Sequence, residues 1–262
     1  MMASCRLLFV GDVVGERGCA AVQALVPSLR RELGLDAVII NGENSAGGLG
    51  ITADTGEALL SVADFLTLGD HTFDREGAGE YLDREPRVVR PANLEAGLPG
   101  RGWGVFEATG KRIGVANVQG RVFMRAPHSP FEAANWAVAE LEAAGAELIL
   151  VDVHAEATSE KEAMGRYLSG RVAAVLGTHT HVPTADLRVL PGGTAYATDV
   201  GMTGGEDGII GFAQEGWLRL FLEGGSFPDT VAGGRVRLEA VLVEVEGGRA
   251  VAIERVSREW SG

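Results

Sequence analysis

Short apolar runs at 6–10, 36–41, 65–68, 113–118, 147–153 and 172–177 alternate with segments of helical character at about 17–34, 53–63, 130–144 and 158–169. This alternation constrains the chain more than any other feature. Runs too short for buried helices, separated by amphipathic helical stretches, build βαβ units and a layered α/β fold. Between Val22 and Leu33 the apolar residues Val22, Leu25, Val26, Leu29 and Leu33 recur three and four apart, which makes one buried helical face. That stretch is core.

After about residue 185 the texture changes to shorter strand-like segments at 187–190, 194–197 and 236–245. Gly247-Gly248 then reads as a two-residue turn into 250–256, a hairpin. Antiparallel strands added to βαβ units predict a two-sheet sandwich with helices outside. Residues 84–102 and 119–131 are rich in Pro, Gly and Arg and are expected as long loops over the rim of a site rather than as linkers. No repeat or low-complexity tract divides the chain, so a single domain over 1–262 is expected.

The residues that close the apolar runs carry the chemistry. Asp12 follows Leu7-Leu8-Phe9-Val10-Gly11 and Glu43 follows Ala37-Val38-Ile39-Ile40-Asn41-Gly42. Four of the 5 histidines lie in Gly69-Asp70-His71, Asp152-Val153-His154 and Gly177-Thr178-His179-Thr180-His181. Ligands of open α/β sheets bind at the carboxyl ends of the strands, so five such ends are expected to converge on one site. Asp12, Glu43, Asp70, His154, His179 and His181, with Asn44 beside Glu43, form a carboxylate and imidazole donor set suited to Mn, Fe, Zn or Ni, and no cysteine falls in these motifs. Six or seven donors exceed the needs of one tetrahedral ion; two ions sharing a carboxylate would use them. In an extended segment His179 and His181 would point to the same side and face one pocket.

The composition, 46% hydrophobic and 23% charged, excludes a disordered acidic protein. A formal net charge of −13 argues against a binder of polynucleotides or anionic membranes, which needs a basic footprint. A small phosphate substrate remains compatible, because bound cations invert the local field. Cys5 and Cys19 form no CxxC and are expected as inert thiols in a reducing compartment. The apolar stretch near the N-terminus is too short for a signal-peptide core or a membrane span, so the cytoplasm is expected.

Taken in order, Gly11-Asp12-Val13-Val14-Gly15, Asn41-Gly42-Glu43-Asn44, Gly69-Asp70-His71, Asp152-Val153-His154-Ala155-Glu156 and Gly177-Thr178-His179-Thr180-His181 resemble the motifs of the calcineurin-like metallophosphoesterases. Asn41-Gly42-Glu43-Asn44-Ser45-Ala46-Gly47-Gly48, Pro91-Ala92-Asn93 and Asp199-Val200-Gly201-Met202-Thr203-Gly204 narrow the likeness to the bacterial YmdB-like branch. The resemblance implies a four-layer α-β-β-α sandwich and a dinuclear, metal-dependent phosphodiesterase acting on small diesters, particularly 2′,3′-cyclic nucleotides. It implies that Asp12 and His181 hold one metal, that Asp70, His154 and His179 hold the other, and that Glu43 bridges them with Asn44 near the first. Iron or manganese is expected, with zinc as a further option. A bridging hydroxide would be the nucleophile and His71 the general acid for the leaving alkoxide. Phosphomonoesterase or nucleotidase activity, or a low-turnover metal-containing regulatory protein, is the alternative. The third motif usually reads Gly-Asn-His, so Asp70 adds an anionic ligand, from which tighter metal holding and a less acidic bridging water are expected.

Other features are read as structural. Gly47-Gly48-Leu49-Gly50 lacks the Lys-Ser or Lys-Thr of a P-loop and is expected to turn the backbone close to the metals. Arg121, Arg125 and His128 are expected on a surface loop, although the two arginines could meet a phosphate. Glu156 and Glu160 suit a helix N-terminus, where acidic residues favour the dipole. Trp103, Trp136, Trp217 and Trp260 read as core or rim aromatics with no base-stacking pattern. A homo-oligomer is left open by the glycine-rich loops.

Overall fold

The structure, a computed structural model, describes residues 4–262. The strands are β1 (Cys5–Val10), β2 (Asp12–Val13), β3 (Ala37–Asn41), β4 (Phe65–Thr67), β5 (Val88–Val89), β6 (Trp103–Ala108) and β7 (Lys111–Gln119) in the first half. The second half adds β8 (Leu148–His154), β9 (Ala174–Thr178), β10 (Arg188–Leu190), β11 (Thr194–Ala197), β12 (Met202–Phe212), β13 (Val231–Glu246) and β14 (Arg249–Trp260). The helices are α1 (Gly15–Leu33), α2 (Ala53–Leu60), α3 (Ala78–Arg84), α4 (Pro130–Ala143), α5 (Thr158–Leu168) and α6 (Gln214–Glu223).

One sheet runs β2-β12-β13-β1-β3-β4-β5 with β14 paired to β13, and the other runs β10-β11-β9-β8-β7-β6. Within the first, β1, β3, β4 and β5 are parallel. Within the second, β7, β8, β9 and β11 are parallel. The expected βαβ units thus form the parallel part of each sheet, and β6, β10, β13 and β14 supply antiparallel partners.

The period-two geometry of β1 shows why its sequence is apolar throughout. Leu7 and Phe9 pack between the sheets with Ile39, Phe65, Leu150 and Val243. Leu8 and Val10 face the other way, onto Val22, Val26 and Leu29 of α1. Strands buried on both faces read as continuous apolar runs rather than alternating ones. The second sheet repeats the pattern, with Val118, Val151 and Val153 packed on Val138 and Leu141 of α4 and Met164 and Leu168 of α5. The layers are therefore helix, sheet, sheet, helix, as the sequence predicts. Each fully buried Val, Leu or Phe contributes roughly 1.5–3 kcal/mol of transfer free energy, so these three clusters supply the main favourable term.

The hairpin is as expected: β13 and β14 are antiparallel across Gly247 and Gly248, whose φ values of 55° and 81° are those of a type I′ turn. Helix α1 stops at Gly34, left-handed at φ 60°, whose N–H donates to the Arg30 carbonyl. Residues 84–102 are not wholly a loop, because β5 joins the first sheet from within them. The sequence reading also passed over β6, α3, β12 and α6. No helix among the described residues is long and apolar enough to cross a membrane.

Candidate metal centre

Each expected donor sits just past, or at the last residue of, a strand, because a parallel sheet presents its carboxyl ends along one edge. Asp12 follows β1, Glu43 and Asn44 follow β3, Asp70 and His71 follow β4, His154 ends β8, and His179 and His181 follow β9. Glu43, Asp70, His154 and His179 each offer a ligand atom within 4.8 Å of the others. His154 Nε2 lies 3.0 Å from Glu43 Oε1 and 3.0 Å from Asp70 Oδ1, and His179 Nδ1 lies 3.2 Å from Asp70 Oδ1. Asp12 and His181 are brought alongside: His181 Nε2 is 4.0 Å from Asp12 Oδ1.

Hydrogen bonds behind the donors orient them as a metal site requires. Thr178 donates its hydroxyl to Asp152 Oδ1 at 2.7 Å, so its oxygen accepts from His154 Nδ1 at 2.9 Å. Asn41 Nδ2 donates to Asp152 Oδ2 at 3.0 Å and completes the chain. In the neutral ring this leaves the His154 Nε2 lone pair facing the carboxylates. His181 Nδ1 donates to the Ile210 carbonyl at 2.8 Å, which leaves its Nε2 lone pair toward Asp12. Asp12 Oδ1 and Asn44 Oδ1 are buried and have no hydrogen-bond partner. Buried acceptors left without a donor beside such a cluster are costly unless a cation lies among them, so the residues fit a metal. Gly69 fits as well: a Cβ there would run into Glu43 Oε2 and His154 Nε2, so only hydrogen leaves the ligands room.

The electrostatics agree. Burial opposes charge on His154, yet Glu43 and Asp70 push its pKa well above the ordinary imidazole value. Asp70, despite burial, is held far below the carboxylate range by hydrogen bonds from His154 and His179. A bound cation would take over this role from protons, because imidazole ligates only when neutral. His71 lies beside the cluster: its backbone N–H donates to Glu43 Oε2 at 3.2 Å, and its ring Nδ1 is 2.7 Å from Asp74 Oδ2. Burial works to lower its pKa, but Glu43, Asp70 and Asp74 outweigh it and raise it. The sequence reading did not single out Asp74, which lies one helical turn's spacing beyond His71.

Several expectations change. The His179-to-His181 segment is not extended, since both residues are left-handed, at φ 92° and 64°. They approach the cluster on different members, and hydrogen bonds rather than strand alternation hold them. Asp199 Oδ2 accepts from Thr180 N at 3.1 Å and Thr180 Oγ1 at 2.6 Å, and the buried Lys161 reaches the same oxygen at 2.8 Å. Glu160 does more than favour a helix end, because its carboxylate accepts from Arg121 N and Val122 N and ties the 119–131 loop down. Glu156 Oε2 is 3.4 Å from His179 Nε2. Arg125 lines a surface cleft shared with Asp70, His71 and Asp74, and Arg121 does not. The glycine loop turns as expected, at positive φ at Gly47, Gly48 and Gly50, and Asn44 Nδ2 donates to the Gly48 carbonyl at 3.0 Å. Trp217 is a rim aromatic, as expected, but not alone: with Phe212, Phe221 and Phe227 it walls a cavity of about 360 Å³ that also touches Glu43, Asn44, His179 and His181.

A two-sheet sandwich with a mixed carboxylate and imidazole cluster across its strand ends defines the metallophosphoesterase class of α/β proteins. The YmdB-like protein family matches residues 8–256, and the chain belongs to it. It is 45% identical over 254 residues to a 2′,3′-cyclic-nucleotide 2′-phosphodiesterase of Bacillus subtilis, covering 96% of each chain. A solved protein of Thermus thermophilus superposes with a TM-score of 0.91 at 44% identity, covering 97% of this chain and 99% of that one. A structure described as a novel phosphatase of Mycoplasma pneumoniae has a TM-score of 0.90 at 33% identity, covering 100% of this chain and 95% of that one.

Proposed function

We propose that the protein is a dinuclear metal-dependent phosphodiesterase that hydrolyses small cyclic diesters, in the first place 2′,3′-cyclic nucleotides. The observation that carries this reading is the meeting of unpartnered buried acceptors with oriented imidazoles at the strand ends, in a chain 45% identical to an enzyme named for that substrate. Glu43, Asp70, His154 and His179 would hold one ion; Asp12, His181 and the Asn44 carbonyl oxygen would hold the second, with Glu43 shared. Two divalent ions at such a site supply an activated water and charge stabilisation at the phosphate oxygens. Oxygen and imidazole donors suit iron or manganese, with zinc also accommodated.

The chain's own part is orientation and proton movement. Thr178 and Asp152 hold the His154 tautomer, and the Ile210 carbonyl holds that of His181. His71, held by Asp74 at one ring nitrogen, keeps the other for a proton to the departing oxygen, and Glu43, Asp70 and Asp74 favour its protonated form. A single domain over 1–262 and cytoplasmic residence belong to the same proposal, the latter supported by two buried free thiols.

The test pairs elemental metal analysis with turnover of 2′,3′-cyclic AMP and bis-p-nitrophenyl phosphate, before and after chelation, for wild type and His71→Ala. The proposal expects two ions per chain, chelator-sensitive turnover, and a fall of ~10²–10⁴-fold in His71→Ala with metal retained. Bound metal with no turnover of any phosphodiester would overturn it in favour of a regulatory metal protein, and faster turnover of monoesters than diesters would reassign it as a phosphomonoesterase.

A further inference from the structure

The cavity that opens from the metal cluster has two chemically different sides. On one are Glu43, Asn44, His179 and His181. On the other are Ile209, Ile210, Phe212, Trp217, Phe221 and Phe227, contributed by the end of β12, by α6 and by the segment after it. The aromatic rings form a continuous group. Trp217 and Phe221, four apart on α6, stack at 5.4 Å and 22°, while Phe227 meets Trp217 edge-on at 4.8 Å and Phe212 at 5.3 Å.

Three further observations say what such a wall would take. Among the described residues no lysine or arginine lines the cavity, so an uncharged part of a ligand suits this side better than a second phosphate. The Trp217 ring is buried, at 8% exposure, and packs against Phe221 and Phe227, so it backs the wall as a flat apolar support. Phe221 is 71% exposed at the mouth, a cost in apolar hydration that a covering planar group would relieve. The wall is also tied to the chemistry, because the Ile210 carbonyl that accepts from His181 lies within it.

We propose that this wall is the nucleobase subsite: the base of a nucleoside cyclic phosphate stacks against Phe221, backed by Trp217 and Phe227, and so sets its phosphodiester over the metal cluster. The inference rests on the phosphodiesterase reading and specifies where that site recognises its substrate. Base–aromatic stacking tolerates any base, because each has a π-face, so the subsite selects nucleoside diesters over baseless ones more than one base over another.

The test compares 2′,3′-cyclic AMP with glycerol 1,2-cyclic phosphate, a five-membered cyclic diester without a base, in metal-loaded wild type, Phe221→Ala and Trp217→Phe. Phe221 is exposed, so its truncation leaves the core intact, and Trp217→Phe keeps a ring behind it while narrowing the support. Phe221→Ala is expected to lower the ratio of kcat/KM for the nucleotide over the baseless diester by about tenfold, mostly through KM. Calorimetry with adenosine alone reads the subsite without turnover, and about tenfold weaker binding is expected in Phe221→Ala, with a smaller loss in Trp217→Phe. Loss of nucleotide turnover in wild type with adenosine binding retained and weakened by the variants would sink the phosphodiesterase reading and keep the subsite. Equal losses on both diesters, or adenosine binding that is absent or indifferent to both variants, would overturn the subsite while the phosphodiesterase reading stands. If Phe221→Ala instead changes the oligomeric state in sedimentation and leaves adenosine binding alone, the wall is a contact between copies of the chain and the inference falls.

Discussion

Replacing Lys161 by methionine tests how the His179-to-His181 segment is held. Lys161 and Asp199 are both fully buried side chains, paired at 2.8 Å, and Lys161 Nζ also reaches Thr180 Oγ1 at 3.2 Å. Lys161→Met keeps most of the stem volume and removes the charge, leaving the Asp199 carboxylate with hydrogen bonds from Thr180 and Gly201 but no counter-ion. Breaking one side of a buried pair typically costs ~3–5 kcal/mol, because the remaining charge stays desolvated. At roughly 2–4 °C per kcal/mol for a chain of about this size, the melting temperature is expected to fall by roughly 6–20 °C. The double variant Lys161→Met/Asp199→Asn removes both charges and should recover most of that loss. Thermal unfolding of the four proteins of this cycle, with metal content measured on each, gives the coupling directly. The single variant should also retain less metal, since Thr180 lies between two proposed ligands. A loss under ~1 kcal/mol in Lys161→Met, or a double variant no more stable than the single, would refute the claim that this pair anchors the segment.

Other outcomes follow from the same structure. Asp70→Asn removes one anionic donor, and metal retention after dialysis against a chelator should fall about tenfold or more with a shifted pH–rate profile; unchanged retention and an unshifted profile would show that the two oxygens are interchangeable there. Asp186 is partly buried, but hydrogen bonds from Thr184 and Thr198 outweigh that and hold its carboxyl below the ordinary range. A depressed carboxylate contributes stability above its unfolded value of about 3.9, lost as pH falls through the folded value, so Asp186→Ala should destabilise at neutral pH and much less in acid. A stability gap that stays constant across that range would count against it. Burial pushes the Cys5 and Cys19 thiols up to about 11 and about 12, so neither should react with a disulfide reagent at mildly alkaline pH until the protein is unfolded, and rapid labelling of the native chain would contradict the packing.

The layered fold and the donors were legible in the sequence for one reason. A strand packed on both faces must be apolar along its length, so β1, β3, β8 and β9 announce themselves, and the first polar residue beyond each is free to serve the site. Asp12, Glu43 and His179 are visible by that rule and Asp70 by the same rule beyond β4, whereas His154, the last residue of β8, and His181, two residues after His179, stand out by their imidazoles. The hairpin was equally plain, because two glycines at positive φ are a local requirement of a tight turn.

What local sequence does not encode is how separate segments meet. The left-handed backbone at His179 and His181 is unfavourable for non-glycine residues and exists because Asp199, Lys161 and the Ile210 carbonyl, from three other elements, hold it there. Glu160 reads as a helix-start acid until the 119–131 loop folds over it. Residues 202–227 show no clean period: glycines interrupt β12, and of the apolar residues of α6, Trp217, Leu218, Leu220, Phe221 and Leu222, only Trp217 is buried, so they mark no buried face. Phe212 and Phe227, which complete the group with Trp217 and Phe221, lie before and after the helix, so the aromatic wall comes into being only when the chain closes over the strand ends. The sequence by itself determined the layers and the candidate donors at the strand ends, through burial and strand-end position. The tertiary structure alone decided which donors touch, which tautomers they hold and what stands over them, because those depend on hydrogen bonds and packing between residues far apart in the chain.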